Sequence, residues 1–355
     1  MAPNQKELAK LAGVSTGTVS NVISGSTRVG ERSRQKVLEA IKVLGYQPNL
    51  IARSLRTNRT HTLGIVVPDI TIPFFPKIIR GAECAARERG YFLIMLDSEG
   101  SPEREADMMA LLRAQRVEGV LLVTATSEEN SPERLNSLME HFPVVCLDRL
   151  PMDLDVDAVC VDGRGAAAMA VTHLIDMGHT RIACITGPQT LQNEKERLRG
   201  YKQALQKHGI EVLPSLIWNC GFDQQHAARI CREGMQGPNR PTALFATNGV
   251  TGLATLRGLD AIGLTTPHDF AFVTFDEITA EDFLKPGVTS VVQPTYDMGY
   301  QAVEILLRRI GAGDTPLPHK KVRLPASLQI RDSSRLPHSG SPYAVVPVDR
   351  RAASR

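Results

Sequence analysis

Between residues 7 and 55 the apolar residues of this chain recur at helical spacing, and after residue 60 that rhythm gives way to short apolar runs alternating with amphipathic ones. The change confines the fold to a small helical head joined to a larger α/β body. The head carries the tighter signal. In ELAKLAGVSTGTVSNVISG a short helix, a turn at Gly13 and a second helix opening on Ser15-Thr16-Gly17-Thr18 follow one another. That order is a helix-turn-helix, a device that lays its second helix in the major groove of DNA.

Local chemistry fits that reading. Asn4 is placed to cap the first helix, which runs to Ala12 with Leu8 and Leu11 facing inward. Small Ala9 admits the second helix closely, Gly13 supplies the turn, and Val14, Val19, Val22 and Ile23 continue the apolar face. Ser15 is set to cap the second helix, whose first amide groups can meet a phosphate, while Thr16, Gly17, Ser20 and Asn21 point outward. A third helix over residues 31–44, with Val37, Leu38, Ile41 and Leu44 inward, closes the core and ends at Gly45. Charge agrees. Residues 1–60 hold ten Lys and Arg against three acids, a net of +7, so with +3 overall the other 295 residues carry −4. A basic head on a mildly acidic body is expected where one end meets phosphates.

From Thr62 the runs LGIVVP, YFLIMLDS, GVLLVTAT and PVVCLDR read as parallel strands buried on both faces, with helices between them that include SPERLNSLMEHF. AVCVD, RIACITG, IWNCGF, ALFATN and AFVTFDE continue the alternation, with helices near residues 165–177, 194–208, 225–235 and 250–261. So many units exceed one sheet, and the fold class is a small all-α head plus an α/β body of two doubly wound parallel-sheet lobes. A ligand cleft is expected between the lobes, at the carboxyl ends of the strands. Phe74 and Phe75 follow the first strand, where a flat apolar surface can stack on a sugar or base ring; core packing is the alternative.

Other classes are weighed against the same residues. The six cysteines are scattered through apolar runs without a C-x-x-C pair, as expected of reduced buried thiols rather than disulfides or zinc ligands. MAPNQKELAK has no apolar signal core and no run approaches 18 apolar residues, so neither export nor a membrane span is expected and a cytoplasmic location is. A solute-binding protein with the same body would need export and leaves residues 1–60 without a purpose. AVCVDGRGAAAMA contains G-x-G-x-x-A after a strand, but the next strand ends in Gly187 and Pro188 rather than in the acid a dinucleotide site needs. His173 and His179 have no third ligand near them. No catalytic residue, cofactor or metal is therefore expected, and the chain is read as no enzyme.

AKLAGVSTGTVSNVISG, VLEAIKVLGYQPNLIARSLRT and LGIVVPDITIPFF, taken together, resemble the lactose-repressor and purine-repressor family of bacterial regulators, over roughly residues 4–332. The resemblance implies a sequence-specific transcriptional regulator, commonly a repressor, whose affinity for operator DNA is set by a small effector such as a sugar or sugar acid. By position, Thr16, Gly17 and Asn21 take base-reading places and Ser15, Thr18 and Ser20 lie near phosphates. Ala52, Arg53, Leu55 and Arg56 take hinge contacts, with Leu55 as a wedge in the minor groove; a linker with a buried leucine is the alternative. Arg197 and Asp276 match effector-binding positions, as do Phe222, Asp148 and Asn248, although Arg197 and Asp276 also suit a structural salt bridge. Three departures stand out. Asn21 replaces the frequent arginine and favours adenine, Ile72 replaces asparagine before the proline, and Gly249 replaces a common aspartate.

The implied organisation is a DNA-binding domain over residues 1–47, a hinge over 48–60 and a two-lobed effector and dimerisation domain over 61–335. Its first lobe takes residues 61–162 and 292–332 and its second 163–291, the crossover being an implication of the resemblance alone. Residues 336–355, rich in Pro, Ser and Arg without leucine heptads, are expected to be a disordered tail. One head reads few base pairs, so a homodimer on a near-palindromic double-stranded operator is expected.

Overall fold

A computed structural model describes residues 3–23, 28–46, 59–125, 136–137, 141–149, 155–278, 286–313 and 315–335. They form two units, Met1–His61 and Thr62–Arg355.

The first unit holds helices α1 (Gln5–Ala12), α2 (Thr16–Ile23) and α3 (Glu31–Leu44). The Asn4 side chain accepts the N–H groups of Lys6 and Glu7, and the Glu7 carboxylate accepts the Asn4 N–H at 3.0 Å, a reciprocal cap that fixes where α1 begins. Gly13 (φ 63°) and Gly45 (φ 58°) end α1 and α3 in the left-handed region. Leu8, Val19, Val22, Val37 and Ala40 form the core, and Tyr46 closes it. Two inward expectations are corrected: Leu11 is 52% and Leu38 47% exposed. Three short helices enclose a core narrower than the apolar stripe on each, so the flank of the stripe stays outside.

The second unit contains two six-stranded sheets. The first is ordered β11-β5-β4-β3-β1-β2, from β1 (Thr62–Val67), β2 (Phe92–Asp97), β3 (Gly119–Leu122), β4 (Val144–Leu147), β5 (Asp157–Val161) and β11 (Lys321–Leu324). The second is ordered β12-β10-β9-β8-β6-β7, from β6 (Ile182–Thr186), β7 (Ile217–Asn219), β8 (Ala243–Ala246), β9 (Ala271–Phe275), β10 (Thr289–Val292) and β12 (Ser327–Gln329). All pairings are parallel except β10 with β12. Helices α4 (Phe74–Glu88), α5 (Pro102–Ala114), α6 (Gly163–Asp176), α7 (Gln192–Lys207), α8 (Gln224–Gly234), α9 (Gly249–Asp260) and α10 (Thr295–Ala312) cover the sheets. The central strands β1, β3, β4, β6, β8 and β9 are buried, as continuous apolar runs require. The expected two-sided burial of β2 is corrected. It lies at the edge of its sheet, with Phe92 60% and Met95 40% exposed.

Helix α10 follows a second-sheet strand yet packs in the first lobe, against α4. Two glycines permit it. A Cβ on Gly81 would lie 2.0 Å from the Tyr296 carbonyl oxygen, and one on Gly299 2.0 Å from that of Ile78, so the two backbones approach closer than any side chain allows. The chain then does something the sequence reading missed. Residues 292–332 do not belong to the first lobe as a whole: β11 joins the first sheet beside β5, but β12 returns to the second and pairs antiparallel with β10. The return satisfies the free ladder groups of β10. It is pinned by Ser333, whose N–H donates to the Gly287 carbonyl at 2.9 Å and whose hydroxyl donates to the Phe272 carbonyl at 2.6 Å. The helix read in SPERLNSLMEHF lies, but for residues 136–137 and 141–142, outside the described residues, as does the tail from 336.

Candidate functional site

The strands place two carboxylates at corresponding points of the two lobes. Asp148 directly follows β4 and Asp276 directly follows β9, at φ 56° and 74°, a left-handed conformation that aspartate adopts more readily than most residues. Each is held by its own N–H, Asp148 to the Val159 carbonyl at 3.0 Å and Asp276 to that of Val291 at 3.1 Å. Arg197, in the second turn of α7, reaches both. Its Nη2 lies 3.8 Å from Asp148 Oδ1 and its Nη1 3.9 Å from Asp276 Oδ2. Nη1 also donates to the Thr247 carbonyl at 2.8 Å, and the guanidinium lies 3.9 Å from the centre of the Phe275 ring. Arg197 is thus both a salt-bridge partner and a wall of the cavity.

That cavity, about 480 Å³, is lined from both lobes and falls in the size range of small-molecule sites. Phe74 and Phe75 line it from the start of α4, and Phe222 from the segment after β7. Phe74 is half-buried, while Phe75 is 2% exposed and belongs to the first-lobe core, edge-on to Phe74 at 5.2 Å. Asn248 lines the cavity with its side chain committed to protein: Oδ1 caps α9 by accepting the Thr251 N–H at 2.9 Å, and Nδ2 donates to Glu194 at 3.1 Å. Ile72 and Gly249 line it as well, without polar groups of their own side chains.

Sequence reasoning missed several residues here. Arg149, buried beside Asp148, donates to the Thr124 carbonyl at 3.2 Å and lies 5.4 Å from the centre of the Phe222 ring, across the cleft. Asn193 donates to Asp148 at 3.0 Å, also across the cleft. Gln293 donates to Asp276. At the rim, Lys77 of α4 meets Glu277 at 2.7 Å, and Arg331 approaches the other oxygen of Glu277 at 3.8 Å. The position of Arg149, next to an acid at a strand's carboxyl end, was the signal that could have found it. Acids dominate the lining. Asp69, Glu99, Asp148, Glu194, Asp276 and Glu277 stand against Arg149 and Arg197. Burial pushes the Asp276 carboxyl up to about 6, opposed by Arg197 and by the hydrogen bond from Gln293. Burial likewise pulls Arg149 down, opposed by Asp148 and Glu194.

Two sequence motifs resolve into structure. Asp162 caps α6 by accepting the Gly165 N–H at 3.0 Å, which accounts for the glycine motif there. His173 meets the Ser334 hydroxyl at 2.8 Å and His179 that of Thr242 at 3.0 Å, and burial pulls His179 down to about 4. Among the described residues no group of three His, Cys, Asp or Glu is placed to hold a metal ion, and no helix is long and apolar enough to cross a membrane.

In the head, Ser15, Thr16, Gly17 and Asn21 are exposed on α2 and the turn before it, and Thr18 and Ser20 are half-buried. The Ser15 hydroxyl accepts the Thr18 N–H at 3.0 Å and lies 3.0 Å from the Thr18 hydroxyl, capping the helix as expected. Ala52, Arg53, Leu55 and Arg56 lie outside the described residues.

Residues 5–49 match the family described as "Bacterial regulatory proteins, lacI family", and residues 171–334 match a "Periplasmic binding protein-like domain". The ribose operon repressor of Escherichia coli (strain K12) is 36% identical over 314 residues, covering 86% of this chain and 92% of that one. The chain belongs to the lacI family. It carries a DNA-binding helix-turn-helix head and an effector-binding body, and it is a transcriptional regulator of the repressor type. The family likeness extends to the repressor PurR of Aliivibrio salmonicida (strain LFI1238), 34% identical over 305 residues that cover 86% of this chain and 91% of that one. A solved structure, the complex of the transcriptional regulator CelR with cellobiose, is 34% identical, with 93% of this chain and 99% of that chain covered and a TM-score of 0.70.

Proposed function

We propose that this lacI-family regulator, a non-catalytic repressor, responds to a neutral monosaccharide, an aldopentose such as ribose first among them, bound between the lobes. The observation that carries this reading is the charge of the cleft. Arg197 is already faced by Asp148, Glu194 and Asp276, so the site offers acceptors for hydroxyl donors and little net attraction for an anion. Phe74 and Phe222 supply apolar faces for the C–H surface of a sugar ring. A sugar acid fits this balance poorly. The similarity to a ribose operon repressor points the same way. Calorimetric melting of the full chain with ribose, other aldopentoses, aldohexoses, the aldonic acids and purine bases tests the reading. Stabilisation by a neutral sugar is expected, and stabilisation by aldonates or purines alone would overturn it.

On the DNA side, the reading is a homodimer on a near-palindromic operator. Thr16, Gly17 and Asn21 meet bases, and Ser15, Thr18 and Ser20 meet phosphates. The domain boundaries fall at residues 47 and 60, and the intervening hinge orders on DNA with Leu55 entering a minor-groove step. Asn21 selects adenine in each half-site. Effector closure of the lobes shifts the fraction of dimers whose paired hinges can order together. Selection from random duplexes tests the head: enrichment of arginine-type guanine contacts at the Asn21 position, or equal binding by Leu55→Ala, would contradict it.

A further inference from the structure

One carboxylate of the cleft is engaged throughout by protein. Glu194, in the first turn of α7, is 1% exposed and lines the effector cavity. Its Oε2 accepts the backbone N–H of Gly187 at 3.0 Å and the hydroxyl of Thr247. Its Oε1 accepts the Asn248 amide at 3.1 Å and faces Arg197 Nη1 at 3.5 Å, nearer than either aspartate. All four partners belong to the second lobe, so this pairing holds whether the cleft is open or shut. The site is built around it: a Cβ on Gly187 would lie 2.8 Å from the Glu194 carboxyl carbon and 3.0 Å from Asn248 Nδ2.

A guanidinium placed on a cavity wall is ordinarily an anchor for carboxylate or phosphate. Here a fixed counter-charge stands beside it, and an anion approaching Arg197 would also approach Glu194. We propose that Glu194 is a specificity-determining residue: it neutralises Arg197 from within the second lobe and thereby excludes anionic ligands from the effector site. The proposal rests on the reading of this cleft as the site of a neutral polyol, and it names what enforces that choice. Asp148 approaches from the other lobe and Asp276 stands further off, so neither replaces Glu194 at the guanidinium.

The test is titration calorimetry on the full chain with D-ribose and D-ribonate, which have the same carbon count and differ in charge, at fixed ionic strength and neutral pH. The proteins are the wild type, Glu194→Gln, Glu194→Met as a second version should the amide disturb packing, and Glu194→Gln combined with Arg197→Ala. Loss of the like charge is expected to shift the ribose-to-ribonate affinity ratio at least about tenfold toward ribonate, and Arg197→Ala is expected to abolish that gain. A merely structural role would weaken both ligands alike, and an unchanged ratio in both single variants overturns the proposal. If the wild type binds ribonate and not ribose, the proposal and the reading of the ligand both fall. If the wild type binds neither, gain of ribonate in the variants upholds the proposal while the ligand reading fails, and no gain overturns the proposal.

Discussion

Asp276 is a cleft carboxyl whose ionisation the fold resists. Its carboxyl is pushed up to about 6 by burial, above the ordinary 3.8. A group whose folded pKa is raised binds its proton more tightly in the folded state, so its contribution to stability grows as pH falls through 6 toward 4. Two outcomes follow. At neutral pH, Asp276→Asn is expected to melt higher than the wild type without effector, by on the order of 1–2 kcal/mol, and to lose the wild type's gain between pH 7 and 5. Effector affinity of the wild type is expected to fall below pH 6, as the acceptor becomes protonated; calorimetry from pH 5 to 8 checks both. Gly187→Ala is expected to weaken effector binding at least tenfold and to destabilise the body by about 1–3 kcal/mol, because the added methyl strikes Glu194 and Asn248. Melting and titration read the two effects separately. At this scale the sequence was legible where a side chain follows a strand directly, as Asp148 and Asp276 do. Glu194 was not legible, since one acid in a helix already rich in charged residues carries no mark of burial until Gly187, Thr247 and Asn248 are brought round it from two other loops.

Among the elements, the caps and strand ends follow from local chemistry, while the returns of the chain do not. The Asn4 and Glu7 reciprocal cap is visible in the residue order, and α1 begins where it dictates. Asn4→Ala is expected to cost the head about 1 kcal/mol, read as an earlier melting of the head in the full chain. Apolar spacing overreached at Leu11 and Leu38, because periodicity reports a stripe and not the width of the core that covers it. The placement of α10 on α4 depends on Gly81 and Gly299, whose pairing across more than two hundred residues no local pattern announces. Gly299→Val is expected to force the helices apart and to cost the body about 3 kcal/mol or more; an unchanged melting temperature would refute the close approach. The return of β12 to the second sheet was equally hidden, for the three residues Ser327–Gln329 carry no pattern that prefers one sheet edge over another.

For the molecule as a whole, the basic head and the acidic cleft assign the two ligands to different parts of the chain. Head binding to DNA should be salt-dependent, with a logarithmic slope steepened by about 0.9 for each phosphate met. Effector binding to a neutral sugar should be nearly indifferent to salt. In the proposed mechanism the cleft around Arg197 governs the grip of the head on its operator. The direct measurement is operator binding, by fluorescence anisotropy on a duplex selected by the protein itself, with and without the stabilising sugar, in the wild type and in Arg197→Ala. Sugar is expected to change wild-type operator affinity at least tenfold, about 1.4 kcal/mol of coupling, while Arg197→Ala keeps its sugar-free affinity and loses the response. An Arg197→Ala protein that still responds in full to the sugar would contradict it.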